Sequence, residues 1–572
     1  MSLDLINLSG RKKLTLIHQT ELAECGLACL AMVSGYYGHQ WDLVTLRKKF
    51  TIPLTGANLK SLMYIGDQMN LICRPVKLDL DQMMGLKTPA ILHWNMNHFV
   101  VLSKVTPNKI TIYDPARGVM EYTPEQATSH FTGVAVELSP AENFTQKNET
   151  VKMRVSDFWS HISGLKKALI TTFIASFVLQ LFMLASPLYM QIVVDEALLN
   201  HDRSLLTVLA IGFFCLLVFQ NIAQAFRGYL VLSIGHLLNY QMANNLMRHL
   251  LRLPMQYFES RHIGDTVTRF ESLDSIGKLL TEGVIETIID GVLSLTMIVV
   301  LFIYSPKLTF IVLGFLAVYL IVRLLYYKPI KRATEDSIVA KASEQSNFME
   351  TVRGIQIVKL YCSEPERQAL WLNRMATTIN NGIRLGKIAI SYQTLGAMIF
   401  AVETILVVYV AANEVLDNVI SVGMLFAFIA YKDRFLNSTK SLIEKLIEFM
   451  MLSLHMTRLA DIAKTEAEPD YDETPNLTAN PKNGIELKNV YYRYSQGEEY
   501  VLKNISLTIE KGQSIAITGK SGSGKTTLLK LMIGLFSPTK GSILIDGVPL
   551  NAFGLRNYRK KVATVMQNDK LF

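Results

Sequence analysis

An apolar stretch over residues 165–436 constrains the fold of this chain more than any other feature. A helix needs roughly 20 apolar residues to cross a bilayer core of about 30 Å. Six runs in the stretch approach that length, at residues 168–194, 204–226, 284–305, 308–327, 388–412 and 419–431. The last run is short because Lys432 ends it, and its assignment depends mainly on the even number of spans that it gives. The stretch therefore predicts a six-helix transmembrane domain.

The basic residues in the links between these runs predict their orientation. The links after the second and fourth runs are long and basic, whereas the short alternate links carry only Arg203 and Lys307. On the side of the long links, the basic residues nearest the membrane are Lys166, Lys167, Lys328, Lys331, Arg332, Arg384 and Lys387. The positive-inside rule then places both long links and both termini in the cytoplasm.

Charge and cysteine content exclude other classes of protein. The basic links explain the net charge of +9, so it does not indicate a nucleic-acid partner. Residues 1–13 have no apolar core, so we expect no signal peptide and a cytosolic N-terminal region. The five cysteines are an odd number in a reducing compartment, which argues against disulfides and allows a reactive thiol.

The region 24–37 is predicted to form a helix. Its apolar residues fall on one face, and Gly38 ends it. Cys25 lies at the start, where the positive end of the helix dipole favours a thiolate. Cys29 lies one turn deeper and is interpreted as a small buried hydrophobic residue.

Two apolar, β-rich runs at 99–105 and 110–114 predict a hairpin, since the turn sequence 106–109 joins them. Such a hairpin brings His98 and Asp114 to the same open end. There a carboxylate can orient an imidazole, which in turn deprotonates a thiol elsewhere in the fold. The alternative is a core histidine and a turn aspartate without catalytic roles.

Three sequence blocks carry a family resemblance. They are "HQTELAECGLACLAMVSGYYG" at 18–38, "HWNMNHFVVL" at 93–102 and "YDPARG" at 113–118. In this order they resemble the bacteriocin-processing cysteine peptidase domain, which is papain-like and cuts leader peptides after a Gly-Gly pair. Glu24 stands where that family often has Asp, a mild departure.

The resemblance implies a role for each site residue. Cys25 is the nucleophile, His98 the base and Asp114 the group that orients the base. Gln19 is the oxyanion-hole glutamine, which stabilises the tetrahedral intermediate. His93 is the rival base, but only His98 directly precedes the aromatic-Val-Val-Leu strand.

Two cytoplasmic stretches, 257–270 and 350–361, resemble the coupling helices of ATP-binding-cassette exporters; the alternative is a solvated amphipathic helix. Within the fifth span, Glu403 is a carboxylate that lipid does not tolerate, so it must face a cavity or a partner. It either lines the transport pathway or, as the alternative, makes a structural hydrogen bond or belongs to a helix that starts elsewhere.

The C-terminal region carries a phosphate-binding motif. Residues 514–518 predict a buried strand, 519–526 fit GxxxxGK[ST], and an apolar helix follows. The glycines admit phosphate to the backbone N–H groups, Lys525 reaches the β- and γ-phosphates, and Thr526 holds Mg²⁺. The predicted ATP-binding residues of the loop are Gly519, Lys520, Ser521, Gly522, Ser523, Gly524, Lys525, Thr526 and Thr527.

The flanks 489–513, 537–547 and 565–572 resemble the ATP-binding-cassette family. The resemblance implies that Tyr494 stacks on adenine and that Gln567 contacts Mg²⁺. The LSGGQ-type signature, the acidic pair and the switch histidine of that family do not occur up to Phe572. We therefore expect the chain as printed to lack ATP hydrolysis.

Together these features predict a multidomain chain. Its parts are a papain-like α+β cysteine peptidase domain at 1–140, a six-span exporter domain with coupling helices at 141–463, an acidic, proline-containing linker at 464–483, and an incomplete α/β P-loop nucleotide-binding domain at 484–572.

The whole chain resembles the peptidase-containing bacteriocin exporters. The resemblance implies a bacterial inner-membrane homodimer that exports small double-glycine-leader peptides, uses ATP and Mg²⁺, and cuts the leader on the cytosolic side. It also implies a periplasmic adaptor and an outer-membrane channel as partners. Two alternatives are an exporter whose N-terminal domain only docks substrate, and an export-dead fragment that retains peptidase activity.

Overall fold

The computed structural model of the protein describes most of the chain. The described residues are 14–19, 22–50, 56–116, 118–150, 165–259, 261, 263–468, 484–494 and 499–566. Most of the predicted linker and Gln567 lie outside them. The chain forms two units. The first comprises Met1–Lys152, Arg248–Thr266 and Ala460–Phe572, and the second comprises Met153–Met247 and Val267–Leu459.

An antiparallel six-stranded sheet organises the N-terminal part of the first unit. Its strands are β1 (Leu71–Lys77), β2 (Ala90–Trp94), β3 (His98–Thr106), β4 (Lys109–Asp114), β5 (Gly118–Tyr122) and β6 (Phe131–Pro140). They lie in the order β1-β6-β2-β3-β4-β5. The predicted hairpin is confirmed as β3 and β4, which close by pairing Thr106 with Lys109.

Among the described residues, four α-helices accompany this sheet. They are α1 (Cys25–Tyr37), α2 (Leu43–Lys49), α3 (Leu59–Gln68) and α4 (Pro124–Thr128). The predicted helix is confirmed as α1, and it ends at Gly38, whose φ of +106° is left-handed. The expectation of one buried face was too narrow. Every residue from Cys25 to Ser34 is buried, because α1 packs against β3 as well as against α2 and α3.

Nine helices follow the N-terminal part among the described residues up to 463. They are α5 (Leu165–Ile192), α6 (Arg203–Leu250), α7 (Met255–Glu259), α8 (Ile263–Lys278), α9 (Val284–Tyr304), α10 (Pro306–Arg353), α11 (Ile355–Leu360), α12 (Glu364–Leu416) and α13 (Val422–Ala463). Within the described part, five segments are long and apolar enough to cross a membrane: Ile170–Leu198, Arg203–Leu250, Val284–Tyr304, Pro306–Arg353 and Glu364–Leu416. The sixth predicted span falls at the start of α13, which is not among the five.

A buried ion pair explains the carboxylate inside the fifth span. Lys432 Nζ of α13 donates to Glu403 Oε2 of α12 at 3.0 Å and to Thr404 Oγ1 at 3.0 Å. The side chains of Lys432 and Glu403 are 1% and 0% exposed. Of the two interpretations of Glu403, the structure supports the polar partner, because a fully buried carboxylate needs a cation to offset its desolvation. The same pair explains how Lys432 is tolerated in an apolar run.

The C-terminal part of the first unit contains a second antiparallel sheet. Its strands are β7 (Gly484–Tyr492), β8 (Leu502–Glu510), β9 (Lys540–Ile545) and β10 (Val548–Pro549), in the order β10-β9-β7-β8. The helices are α14 (Lys525–Met532), α15 (Leu550–Phe553) and α16 (Leu555–Arg559). The side chains that α14 buries meet those of β7 and β9 in one apolar core.

The prediction of a buried strand at 514–518 is wrong for this structure. The segment forms no strand, and Ile515 and Ile517 are each 39% exposed. A buried strand needs hydrogen-bonded neighbours, and no described strand pairs with this segment. The apolar pattern alone did not reveal that lack of neighbours.

Candidate functional site

Cys25 occupies the first position of α1, as the sequence predicts, and is 5% exposed. The residue after it allows a close approach. A Cβ on Gly26 would lie 2.8 Å from Leu62 Cδ1 and 3.7 Å from Phe99 Cδ2. A side chain at this position would therefore require the terminal methyl of Leu62 on α3 to move, while its distance from Phe99 is an ordinary contact. The sequence analysis did not single out Gly26.

His98 and Asp114 meet at one end of the β3–β4 hairpin. His98 begins β3 and Asp114 ends β4, and His98 Nε2 donates to Asp114 Oδ1 at 2.8 Å. The same oxygen accepts the backbone N–H of Ala116 at 2.8 Å, and Asp114 is 3% exposed. The carboxylate is thus buried and oriented by the turn that follows it.

The charge state of His98 follows from its neighbours. Burial alone would lower the pKa of its imidazole, but hydrogen bonds to Asp114 and Cys25, and their negative charges, outweigh burial and raise that pKa from 6.5 to about 9. Asp114 holds Nε2, so Nδ1 is the ring nitrogen left for the Cys25 thiol. His98 is therefore an imidazolium at neutral pH.

His93 and Cys29, the alternatives to His98 and Cys25, lie in different surroundings. His93 Nδ1 bonds the Thr132 hydroxyl at 2.8 Å, and burial lowers the pKa of this histidine. Cys29 is completely buried; burial, with the charges of Cys25 and Asp114, raises the pKa of its thiol well above the ordinary value. Neither group is placed for the chemistry that Cys25 and His98 can perform.

Gln19 lies beside the turn that follows Asp114. Its backbone N–H donates to the carbonyl of Pro115 at 3.0 Å, and its side chain is buried. Among the described residues, its Oε1 has no hydrogen-bond partner. Gln19 is thus joined to the turn that follows the orienting carboxylate, and its role as oxyanion donor stays a prediction.

The phosphate-binding motif forms an exposed loop before α14. Gly522 and Gly524 have φ of +81° and +89°, and this left-handed backbone turns N–H groups toward a common centre. Lys525 Nζ donates to the carbonyls of Gly519 at 2.8 Å and Lys520 at 2.7 Å. The loop thus has the backbone, cation and first-turn hydroxyl of Thr526 that a nucleotide phosphate with Mg²⁺ requires.

Tyr494, the predicted adenine contact, lies close to this loop. Its hydroxyl shares a hydrogen bond of 2.8 Å with Thr527 Oγ1. Its ring packs edge-on against Tyr492 and Phe536 at 5.2 and 5.9 Å. Gln567, the predicted Mg²⁺ contact, lies outside the described residues.

Helix α7 overlaps the start of the first predicted coupling stretch, 257–270, and contacts the ATP-binding part. Glu259 Oε1 accepts from Lys530 Nζ of α14 at 2.5 Å, and Met255, just before the stretch, packs against the core behind that helix. For this stretch and for the second one, which includes α11, the coupling role stays a prediction.

Family comparisons divide the chain in three. The Peptidase C39 family matches residues 13–143, the ABC transporter transmembrane region matches 169–438, and the ABC transporter family matches 502–572. Among solved structures, a bacterial Atm1-family ABC exporter with ATP bound has a TM-score of 0.60 at 18% identity, and the match covers 69% of this chain and 70% of that one. The fold class predicted from the sequence is confirmed.

Two relatives from Escherichia coli match nearly the whole chain. The colicin V secretion/processing ATP-binding protein is 36% identical over 572 residues, which is 100% of this chain and 82% of the relative. A probable microcin secretion/processing ATP-binding protein is 36% identical over 567 residues, 99% of this chain and 81% of the relative. The chain therefore belongs to the family of peptidase-containing ABC exporters that includes these secretion/processing proteins.

Proposed function

We propose that this chain exports small bacteriocin-type peptides across the bacterial inner membrane and removes their double-glycine leader with its N-terminal cysteine peptidase. The observation that carries the proposal is the His98–Asp114 pair held against Cys25 at the start of a buried helix. The names of the two relatives supply the substrate class, since both are secretion/processing proteins.

The geometry supports a cysteine-peptidase mechanism. The Cys25 thiolate attacks the carbonyl carbon of the second glycine of the Gly-Gly pair, and an S–C bond forms as the carbonyl becomes an oxyanion. The Gln19 amide donates to that oxyanion. The imidazolium of His98 gives its proton to the leaving amine as the C–N bond breaks. The neutral ring then takes a proton from the water that hydrolyses the thioester, which restores the pair.

The ATP-binding part would supply energy for export. Lys525 and the loop backbone would hold the phosphates, Thr526 and Gln567 would contact Mg²⁺, and Tyr494 would stack on the base. Bound Mg²⁺ would neutralise charge that develops on the phosphate oxygens.

An N-terminal domain that only docks substrate is the second candidate. It requires no nucleophile, no raised imidazole pKa and no buried carboxylate behind the imidazole. Cys25, His98 and Asp114 provide all three, so the docking-only function has less support.

The proposed assembly is a homodimer with both termini in the cytoplasm, joined to a periplasmic adaptor and an outer-membrane channel. The basic long links support this orientation. Tags at Met1 and Phe572 should be protected from protease in intact cells, and a tag at Asn418 should be reachable from outside. Exposure of a Phe572 tag would show that residues 419–431 do not span the membrane.

The direct test of cleavage uses the purified full chain and a synthetic peptide with a double-glycine leader. Cys25→Ala should lower the cleavage rate by at least about 10³-fold, because it removes the nucleophile. Cys29→Ala is the matched control and should retain most activity, since Cys29 is buried with a raised thiol pKa. Equal loss in two folded variants would contradict the proposed role of Cys25.

A further inference from the structure

An ion pair lies immediately before the nucleophile. Glu24, the residue before Cys25, is 3% exposed, and its carboxylate does not cap α1. Its two oxygens instead accept from Arg47 of α2, one from Nε and the other from Nη2 at 3.2 Å. A forked contact of this kind holds a carboxylate in one orientation.

Arg47 has a second carboxylate partner, outside the peptidase domain. Its Nη1 donates to Asp461 Oδ1 at the end of α13. Asp461 also accepts from Arg261 Nε at 3.1 Å, from Arg261 Nη2 at 3.2 Å and from the Tyr257 hydroxyl at 3.3 Å. Three segments far apart in the sequence therefore meet at one carboxylate within the first unit.

The network is buried. Arg47 and Arg261 are 10% and 8% exposed in their side chains, and Glu24 and Asp461 are 3% exposed. Charged groups with so little access to water depend on their contacts with one another. Removal of one member is therefore costly, and each member constrains the position of the others.

We propose that Arg47 is a positioning residue for leader cleavage: held by Asp461, it fixes Glu24 and with it the first turn of α1, which carries Cys25. The inference rests on the proposed cleavage function. Without Arg47 the Glu24 carboxylate loses the forked contact that fixes its orientation beside Cys25, and the positive charge near the thiol is reduced. The first turn of α1 also loses its tie to α2.

The test measures the purified full chain in lipid nanodiscs. One arm gives kcat and KM for a synthetic double-glycine-leader peptide. The other gives the rate at which iodoacetamide alkylates Cys25 at neutral pH, followed by mass spectrometry of the peptide that contains this residue. Arg47→Gln should lower kcat and the alkylation rate about tenfold and leave KM within about twofold, as expected for a misplaced reacting group.

Three further variants locate the effect. Asp461→Asn should lower both rates about threefold, and the double variant should match Arg47→Gln alone, because both act through one contact. Arg47→Lys keeps the charge without the fork and should give an intermediate rate.

Glu468→Gln is the matched control for these variants. It breaks an ion pair of the same segment with Arg559 at 2.7 and 2.8 Å, and it should change neither rate.

The outcomes separate the inference from the function on which it rests. If Arg47→Gln does not fold, the rates of the Asp461→Asn variant test the positioning role, because this variant keeps the contact between Arg47 and Glu24. Unchanged rates in the folded variants, a change in KM alone, or equal loss in Glu468→Gln would each overturn the positioning role. A wild-type chain that alkylates rapidly but cuts no leader would contradict the proposed function, while the alkylation arm would still test Arg47.

Discussion

The peptidase site and the phosphate-binding loop differ in how far they are built without a ligand. Asp114 is 3% exposed and holds His98 at 2.8 Å, and the nearby Cys25 helps to raise the pKa of that imidazole. The loop at 519–526 is mostly exposed, and Lys525 donates to carbonyls of its own loop. The base of one site is held by its orienting carboxylate, whereas the cation of the other is engaged by its own backbone.

The difference follows from the chemistry of each site. A thiol must be deprotonated before substrate arrives, so its base and orienting carboxylate have to be packed in place by the sheet. A phosphate brings its own charge and hydrogen-bond acceptors, which can draw the lysine away from the loop carbonyls. The peptidase site should therefore be sensitive to changes in its supporting groups, and the loop should respond mainly to nucleotide.

The largest effect should come from the orienting carboxylate. Asp114→Asn should lower kcat for leader cleavage about 10³-fold, because the amide cannot hold His98 in its charged, aligned state. Steady-state cleavage by the full chain measures this. Asp81→Asn, at an exposed acid of the same domain, is the control and should have no effect. A loss below tenfold would show that the site does not depend on its preorganised pair.

The oxyanion donor should have the next largest effect. Gln19→Ala should lower kcat about 10²-fold with little change in KM, because the donor acts on charge that develops in the transition state. The two kinetic constants, measured on the same peptide, separate this role from substrate binding. An increase in KM with unchanged kcat would place Gln19 in the leader-binding surface instead.

A substitution in the phosphate-binding loop should have a smaller effect, on ATP binding and not on leader cleavage. Lys525→Ala should weaken ATP binding about tenfold, because a charge-assisted phosphate contact is lost. Leader cleavage without nucleotide should stay unchanged. Fluorescent-nucleotide titration measures ATP binding, and the peptide assay measures leader cleavage. Lys511→Ala, at an exposed lysine, is the control. Parallel loss of both activities would contradict the separation of the two sites.

The pH dependence of cleavage should show the smallest change. Since the pKa of His98 is raised to about 9, the imidazolium persists through neutral pH, and cleavage should fall to half near pH 9. The stabilisation of the fold by this charged group is complete below its ordinary pKa of 6.5 and is lost as pH rises through about 9. In Asp114→Asn, the alkaline limb should move to lower pH. A limb that does not move would exclude Asp114 as its cause.

Patterns in the sequence predicted much of the fold and several site residues. The helix at 25–37, the hairpin that brings His98 to Asp114 and the motif before α14 all came from local periodicity or spacing. The apolar pattern at 514–518 predicted a strand that the structure does not have, because strand formation depends on neighbours as well as on apolar residues. Glu403 remained open until α13 supplied Lys432 as its partner.

Within the described part of the chain, the sequence by itself determined the membrane class, the nucleophile candidate and the phosphate loop, because each depends on a composition or spacing along one segment. Tertiary structure alone decided that Arg47 joins Glu24 to Asp461. These contacts join residues up to 414 positions apart. Only the packing of distant segments brings such charges together, so no local pattern carries a signal for them.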